Sequence, residues 1–301
     1  MKKSFKLLLA AAVLVTEVFV VALPILTTSA KADGAIQAIT HAGFGGGTDV
    51  TTRMMLLRTR RYLKQDMQLV NKKGGGGAAS MDYMMTLPAD GQHTLTWTTG
   101  HAVSMALGKT KVKLSDMQPL ARGTDDPQLF VVNCKNDIKD AKKFVSAQKS
   151  KSLKYGTTHV GGIDDVSAIA FTKKGNLTDP TIVAYKGVAP IKTNLIKGDI
   201  DVGVLNLGEA VTEIEDGTLC VAVVLASKRM DKLSNVPTAT ELGIPVVLST
   251  VRGFVTRKGV PADRKKQLED AMIKAMEHKY FQSFLTDIGL DSTSVVGADE
   301  W

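Results

Sequence analysis

The run His41-Ala42-Gly43-Phe44-Gly45-Gly46-Gly47-Thr48-Asp49 follows a short apolar stretch and precedes a segment with helical spacing. Glycines crowded between a strand and a helix take the chain through a tight turn. They also leave backbone N–H groups bare at the positive end of that helix. Such a junction is a seat for an anionic oxygen, and it belongs to chains in which strands feed directly into helices. The remaining pattern agrees. Strands expected over 36–40, 67–71 and 94–98 alternate with helices over 49–62 and 78–87, with Val50, Met54 and Leu57 marking the packed face of the first helix. A second unit repeats the order, with strands over 130–132, 154–157, 181–185 and 202–205 and helices over 139–148, 164–173 and 189–197. Alternation of this kind reads as α/β architecture with parallel, doubly wound sheets. The apolar run 219–226 reads as a long strand able to cross between the units, and 262–284 as one amphipathic helix.

The amino terminus has a different character. Lys2, Lys3 and Lys6 precede an apolar core over 7–16, and Ala30-Lys31-Ala32 places small residues where a signal peptidase cuts. A signal peptide over 1–32, cleaved near Ala32, is expected. An uncleaved anchor is the alternative, but Glu17 would cost about 2.5 kcal/mol or more at the centre of a span. The formal charge is +8 and falls when four lysines and Glu17 leave with the leader. The remaining charges are interspersed and aromatics make up only 5%, which argues against a nucleic-acid groove. The lysines between Lys139 and Lys154 read as a solvated helix face. Cys134 and Cys220 flank the apolar runs 129–132 and 221–226. If those runs pair antiparallel the sulfurs face each other; otherwise both remain buried thiols.

Loops at the carboxyl ends of parallel strands are where such sheets bind ligands. Here they fall at 43–48, 74–77, 99–101, 158–163, 186–188 and 206–209, three in each unit. The candidate seat in the first unit is Phe44, Gly45, Gly46, Gly47, Thr48 and Asp49, joined by Gly100 and His101. In the second unit it is Thr157, Thr158, Val160, Gly161, Gly162, Ile163 and Asp164, joined by Asn206. Asp164 or Asp165 reads as a helix cap rather than a catalytic acid. Arg252 and Arg122 lie near the crossings, each able to pair with a ligand carboxylate or to make a hinge contact.

A dinucleotide fits poorly, because the glycine spacing is not G-x-G-x-x-G and Asn71-Lys72-Lys73-Gly74 stands where an acid would meet a ribose. His41, His93, His101, His159 and His278 lack metal-ligand spacing, and no nucleophile elbow or cysteine–histidine pair is evident. Neither a catalytic residue, a metal nor a cofactor is expected. His41, His101 and His159 read as satisfied loop side chains or ligand donors.

Four stretches together resemble the receptors of tripartite tricarboxylate transporters, the Bug-type periplasmic proteins. They are Gly45-Gly46-Gly47-Thr48-Asp49 with Arg53; Asn71-Lys72-Lys73 with Gly74-Gly75-Gly76-Gly77; Tyr185-Lys186-Gly187-Val188-Ala189-Pro190 followed by Gly198-Asp199-Ile200-Asp201; and Val236-Pro237-Thr238 with Glu241-Leu242-Gly243. The resemblance spans about 35–301. It implies a type II periplasmic binding protein fold, two doubly wound α/β domains joined by crossing strands with a ligand cleft between them. Domain 1 would comprise 33–129 and 223–301, and domain 2 would comprise 130–222. It further implies a monomer that holds a small organic acid between the loops at 44–49 and 160–165 and delivers it to membrane permease subunits. A sensory receptor reporting to a membrane kinase is one alternative, and a cleft enzyme acting on an organic acid is another. Relative to the family, His41, Phe44, Lys73, Val188 and Val251 are departures around the cleft, so they bear on the ligand rather than the fold.

Overall fold

The computed structural model describes residues 34–158 and 160–301; the expected leader and His159 lie outside the described residues. The chain opens with β1 (Ile36–Thr40), α1 (Gly47–Leu63), β2 (Met67–Asn71), α2 (Ala78–Met85), β3 (His93–Thr98), α3 (Thr99–Ala106) and the long β4 (Met117–Pro127). There follow β5 (Leu129–Asn133), α4 (Ala141–Ser150), β6 (Lys154–Thr157), α5 (Ile163–Lys174), β7 (Thr181–Ala184), α6 (Val188–Lys197), β8 (Val202–Leu205), α7 (Leu207–Glu215) and β9 (Leu219–Val224). β10 (Ser249–Arg257), α8 (Ala262–Glu277), α9 (Lys279–Asp287) and β11 (Val296–Gly297) complete it.

These strands form two sheets, ordered β11-β4-β10-β3-β1-β2 and β7-β6-β8-β5-β9. Both are mixed rather than wholly parallel. In the first, β1, β2 and β3 run parallel while β10, β4 and β11 pair antiparallel. In the second, β6, β7 and β8 are parallel and β5 is antiparallel to both β8 and β9.

Side chains alternate across each sheet and bury both faces. Phe130 and Val132 join Tyr155, Phe144 and Phe171 on one face of the second sheet, while Leu129 and Val131 join Ile191, Leu195 and Leu205 on the other. In the first sheet Ile36 and Phe254 pack against Met55, Leu268, Met272 and Phe281, whereas Ile39, Leu95 and Val255 pack against Met81 and Met84. Residues Gly34–Trp301 together make one compact unit.

Several elements differ from the sequence reading, each for a local reason. β4 and β10 escape the apolar-run test because they carry Arg122, Thr124, Asp125 and Asp126, and Thr250, Arg252 and Thr256, in buried or half-buried strand positions. The amphipathic stretch at 262–284 is two helices, since the Nδ1 of His278 accepts the Tyr280 N–H at 3.3 Å and starts α9. The expected loop at 99–101 is the first turn of α3. The run 219–226 does not cross between sheets, because β9 ends at Val224 within the second sheet.

The chain instead passes between the sheets near Gln128, from β4 to β5, and near Leu248, ahead of β10, and Leu225 ties the two passages into a ring. The Gln128 N–H donates to the Leu248 carbonyl (3.0 Å), Leu248 N–H to Leu225 (2.9 Å), and Leu225 N–H back to Gln128 (2.9 Å). The Gln128 side chain adds a bond to the Thr250 hydroxyl at 2.5 Å.

β5 and β9 do pair antiparallel, and Cys134 and Cys220 are bonded with their Cα atoms 5.0 Å apart. The bond closes a loop with a sequence separation of 86, a span at which cross-links typically contribute about 2–4 kcal/mol. Replacing both cysteines with serine is expected to lower the unfolding free energy by about that amount, read from urea midpoints. An unchanged midpoint would show that the pairing of β5 and β9 holds the edge without it.

Candidate functional site

α1 and α5 begin in the same way, although one flanks each sheet. Gly46 and Gly162 are extended N-caps, and the preceding residues, Gly45 and Gly161, take φ of +75° and +71°, a region that favours glycine. The carboxylate four residues on braces each turn. Asp49 Oδ2 accepts the Gly45 N–H at 3.0 Å, and Asp165 Oδ2 accepts the Gly161 N–H at 2.6 Å. Asp164 accepts both the Thr158 N–H (2.9 Å) and its hydroxyl (2.6 Å). Each acid therefore closes its own loop, and the opening amides of both helices keep no partner within the helix.

Burial pushes the Asp49 carboxyl up, but the Arg53 hydrogen bond, the Gly45 amide and the charges of Arg53 and Lys73 outweigh it. Asp49 is held below the usual carboxylate range. Arg53 also lies over the ring of Phe44, 5.0 Å from its centroid, and Phe44 is 85% exposed at the rim.

The two helix starts face two adjoining cavities of about 330 and 820 Å3, the scale of small-molecule sites. Gly47, Thr48, Gly100, Thr158, Ile163, Asp164, Asn206 and Arg252 line the smaller, together with His41, the Gly74–Gly77 turn, Thr98, Glu209 and Thr250. Phe44, Gly45, Gly46, Gly47, Thr48, Thr158 and Arg252 contribute to the larger, with Asp126, Gly187, Val188, Lys192 and Glu209. The remaining sequence candidates, Asp49, His101, Thr157, Val160, Gly161 and Gly162, stand off both walls. Val160 is an exposed rim residue, and Thr157 is buried beneath its loop.

His101 is a support. Its Nδ1 accepts the Thr98 N–H at 3.0 Å, its Nε2 lies 3.2 Å from Ser80 Oγ, and Trp97 stacks on its ring. Burial foremost, and then the neighbouring His41, hold His101 well below the usual imidazole range despite the Thr98 bond, so the ring stays neutral. Asn206 is likewise committed. Its side chain caps α7 and its Nδ2 donates to the carbonyls of Asp126 (2.9 Å) and Pro127 (3.0 Å).

The two arginines part ways. Arg122 ties β4 to the carboxyl-terminal segment through the carbonyls of Ser294 and Thr293. Arg252, 4% exposed, reaches the cavity wall, where it meets Asp126 Oδ2 at 3.1 Å and the Thr48 hydroxyl at 3.4 Å. Its guanidinium lies so close to α1 that a Cβ at Gly47 would stand 2.8 Å from Nη2.

The sequence reading missed Asp126 and Glu209. Burial first of all raises Asp126 to about 6 against the pull of Arg252, and raises Glu209 to about 7 against the Asn206 amide and Arg252. Asn206-x-x-Glu209 is a capping-box spacing that marks Glu209 in the sequence; Asp126 has no such signal.

Comparison with known proteins fits this geometry. The sequence profile described as "Tripartite tricarboxylate transporter family receptor" matches residues 51–299. Protein BugT of Bordetella pertussis is 25% identical over 218 residues, covering 70% of this chain and 66% of BugT. A solved TctC solute-binding protein from Polaromonas superposes with a TM-score of 0.76 at 24% identity, covering 88% of this chain and 92% of its own. MatC of Rhodopseudomonas palustris, solved with bound malate, gives 0.72 at 25% identity, covering 85% and 88%.

Removing one member of the buried Asp126–Arg252 pair strands the other, a loss of about 3–5 kcal/mol. In Arg252→Met, Asp126 would lack its cation, and its folded-state pKa would rise further above the unfolded value. Stability from such a group is present below the unfolded pKa and is lost as pH rises through the folded one. The variant is therefore expected to be destabilised by about 3–5 kcal/mol at pH 8 and by clearly less at pH 5, measured by urea denaturation. A deficit independent of pH would mean that Asp126 does not supply it.

Proposed function

The chain belongs to the tripartite tricarboxylate transporter receptor family, the Bug-type solute receptors, and from that premise we propose that it captures a small organic carboxylate in the periplasm. The observation that carries this reading is the matched pair of glycine-cornered helix starts, one beside each sheet, opening on the same cavities. A carboxylate between them receives amide hydrogen bonds from α1 and α5, with the Thr48 hydroxyl and Arg252 at the same wall. Positive helix ends favour that charge from both sides.

The magnitudes are sufficient. Micromolar affinity requires about 8 kcal/mol, and hydrogen bonds to a charged group contribute about 1.5–3 kcal/mol each. Three or four of them reach that scale before ordering costs are counted. The malate held by MatC is a ligand of this kind.

In this reading the six-stranded sheet, with residues 34–128 and 249–301, and the five-stranded sheet, with residues 129–248, form two lobes that close on the ligand, so that the second lobe runs past the expected end at 222. The receptor acts as a monomer and passes its cargo to membrane permease subunits. Like the rest of its family, it is a receptor rather than an enzyme.

A thermal-shift screen of organic acids against the purified protein tests the reading, and at least one small carboxylate is expected to raise the melting temperature. Gly46→Val places a branched side chain at the N-cap, where even a Cβ lies 3.3 Å from the Gly43 carbonyl. It is expected to abolish that shift while leaving the ligand-free melting temperature within about 4 °C. Full ligand response in Gly46→Val would remove this loop from the site.

A further inference from the structure

The polar groups around the two cavities are unevenly distributed by sign. The lysine and arginine side chains on their walls are Arg252 and Lys192. Arg252 is engaged by Asp126, and Lys192 by Glu213 at 2.7 Å. Lys109, beside Gly76 and Gly161, and Lys73, beside Gly43, stand off both walls. A ligand with two carboxylates would thus find, on the walls themselves, only cations that already have partners.

The acids are less well supplied. Asp126 is 3% exposed, and while its Oδ2 takes Arg252, its Oδ1 is buried without a hydrogen-bond partner. Glu209 borders both cavities, and its Oε2 accepts the Asn206 N–H at 3.0 Å. No lysine or arginine lies within ion-pair distance of Glu209 among the described residues. Burial raises both acids toward neutrality against the pull of Arg252, Asp126 to about 6 and Glu209 to about 7.

We infer that the ligand is a zwitterion, an aminocarboxylate whose carboxylate sits on the α1 and α5 amides and whose ammonium is received by Glu209 and the unpartnered Oδ1 of Asp126. The inference rests on the carboxylate-receptor reading and narrows it. An ammonium supplies the donor that Asp126 Oδ1 lacks and the cation that Glu209 lacks, whereas a second carboxylate adds repulsion to both. The cavity is in this view a two-ended dipole, with amide donors at one end and acid acceptors at the other.

The test is a calorimetric panel on the purified protein in which aliphatic and aromatic monocarboxylates are each matched with their amino derivative and with the dicarboxylate of similar length; butyrate, 2-aminobutyrate, 4-aminobutyrate and succinate make one such set. In at least one set an amino derivative is expected to bind tenfold or more tighter than both partners. Glu209→Gln, which keeps an oxygen for the Asn206 amide, is expected to weaken that amino derivative about tenfold and erase its advantage over the plain acid. Asp126→Asn is expected to act in the same direction, with melting curves reporting whether each variant is folded. Dicarboxylates or plain acids binding as tightly as their amino derivatives throughout, or an advantage that survives both substitutions, would overturn the inference and leave the receptor reading standing. If no carboxylate of any kind bound, the receptor reading would fail, and this inference with it.

Discussion

The site depends on one repeated contact, an aspartate in the first helical turn that takes the amide of the glycine preceding the N-cap. Asp49 does this for Gly45, and Asp165 for Gly161. The contact uses the helix's own acid to fix the loop at the cavity wall, so the first amides of the helix proper, from Gly47 and from Ile163 onward, keep no helical partner. It also explains how acids can sit at an anion seat without repelling the anion. The Oδ2 of each bonds the backbone behind the turn, and Arg53 further offsets the charge of Asp49. Positive-φ glycines supply the corner that makes the reach possible.

The second organising contact lies where the sheets meet. β4 and β10 are neighbours, with Asp126 opposite Thr250, and the Arg252 side chain returns to Asp126. Asn206 from the other sheet bonds the carbonyls of Asp126 and Pro127 on the same stretch. Crossing, cavity wall and capping of α7 are thus one connected structure. The ion pair there is buried enough that its desolvation offsets much of its Coulomb gain. Its clearest contribution is positional, since it fixes the guanidinium against the start of α1.

Much of this was legible in the residues. The strand–helix alternation and both glycine junctions follow from periodicity and turn chemistry, which are local, whereas the antiparallel approach of the two cysteines was one of two open readings that the structure settles. Strands β4 and β10 were not legible, because their polar residues are satisfied by partners distant in sequence, such as Gln128 for Thr250 and Asp126 for Arg252. His101 illustrates the same limit from the other side. In the sequence it reads either as a satisfied loop side chain or as a ligand donor, and the structure spends both ring nitrogens on Thr98 and Ser80. Glu209 carried a capping signature, and what that signature could not reveal was its position beside two cavities.

The Cys134–Cys220 link has a consequence for how the molecule matures. Cys134 follows the first strand of the five-stranded sheet in chain order, and Cys220 lies in its last. In the folded chain the sulfurs meet because β9 lies beside β5 at the sheet edge, so the bond staples the first strand of that sheet to its last. A chain oxidised in this pairing carries that edge as a covalent closure, available only where thiols are left to oxidise.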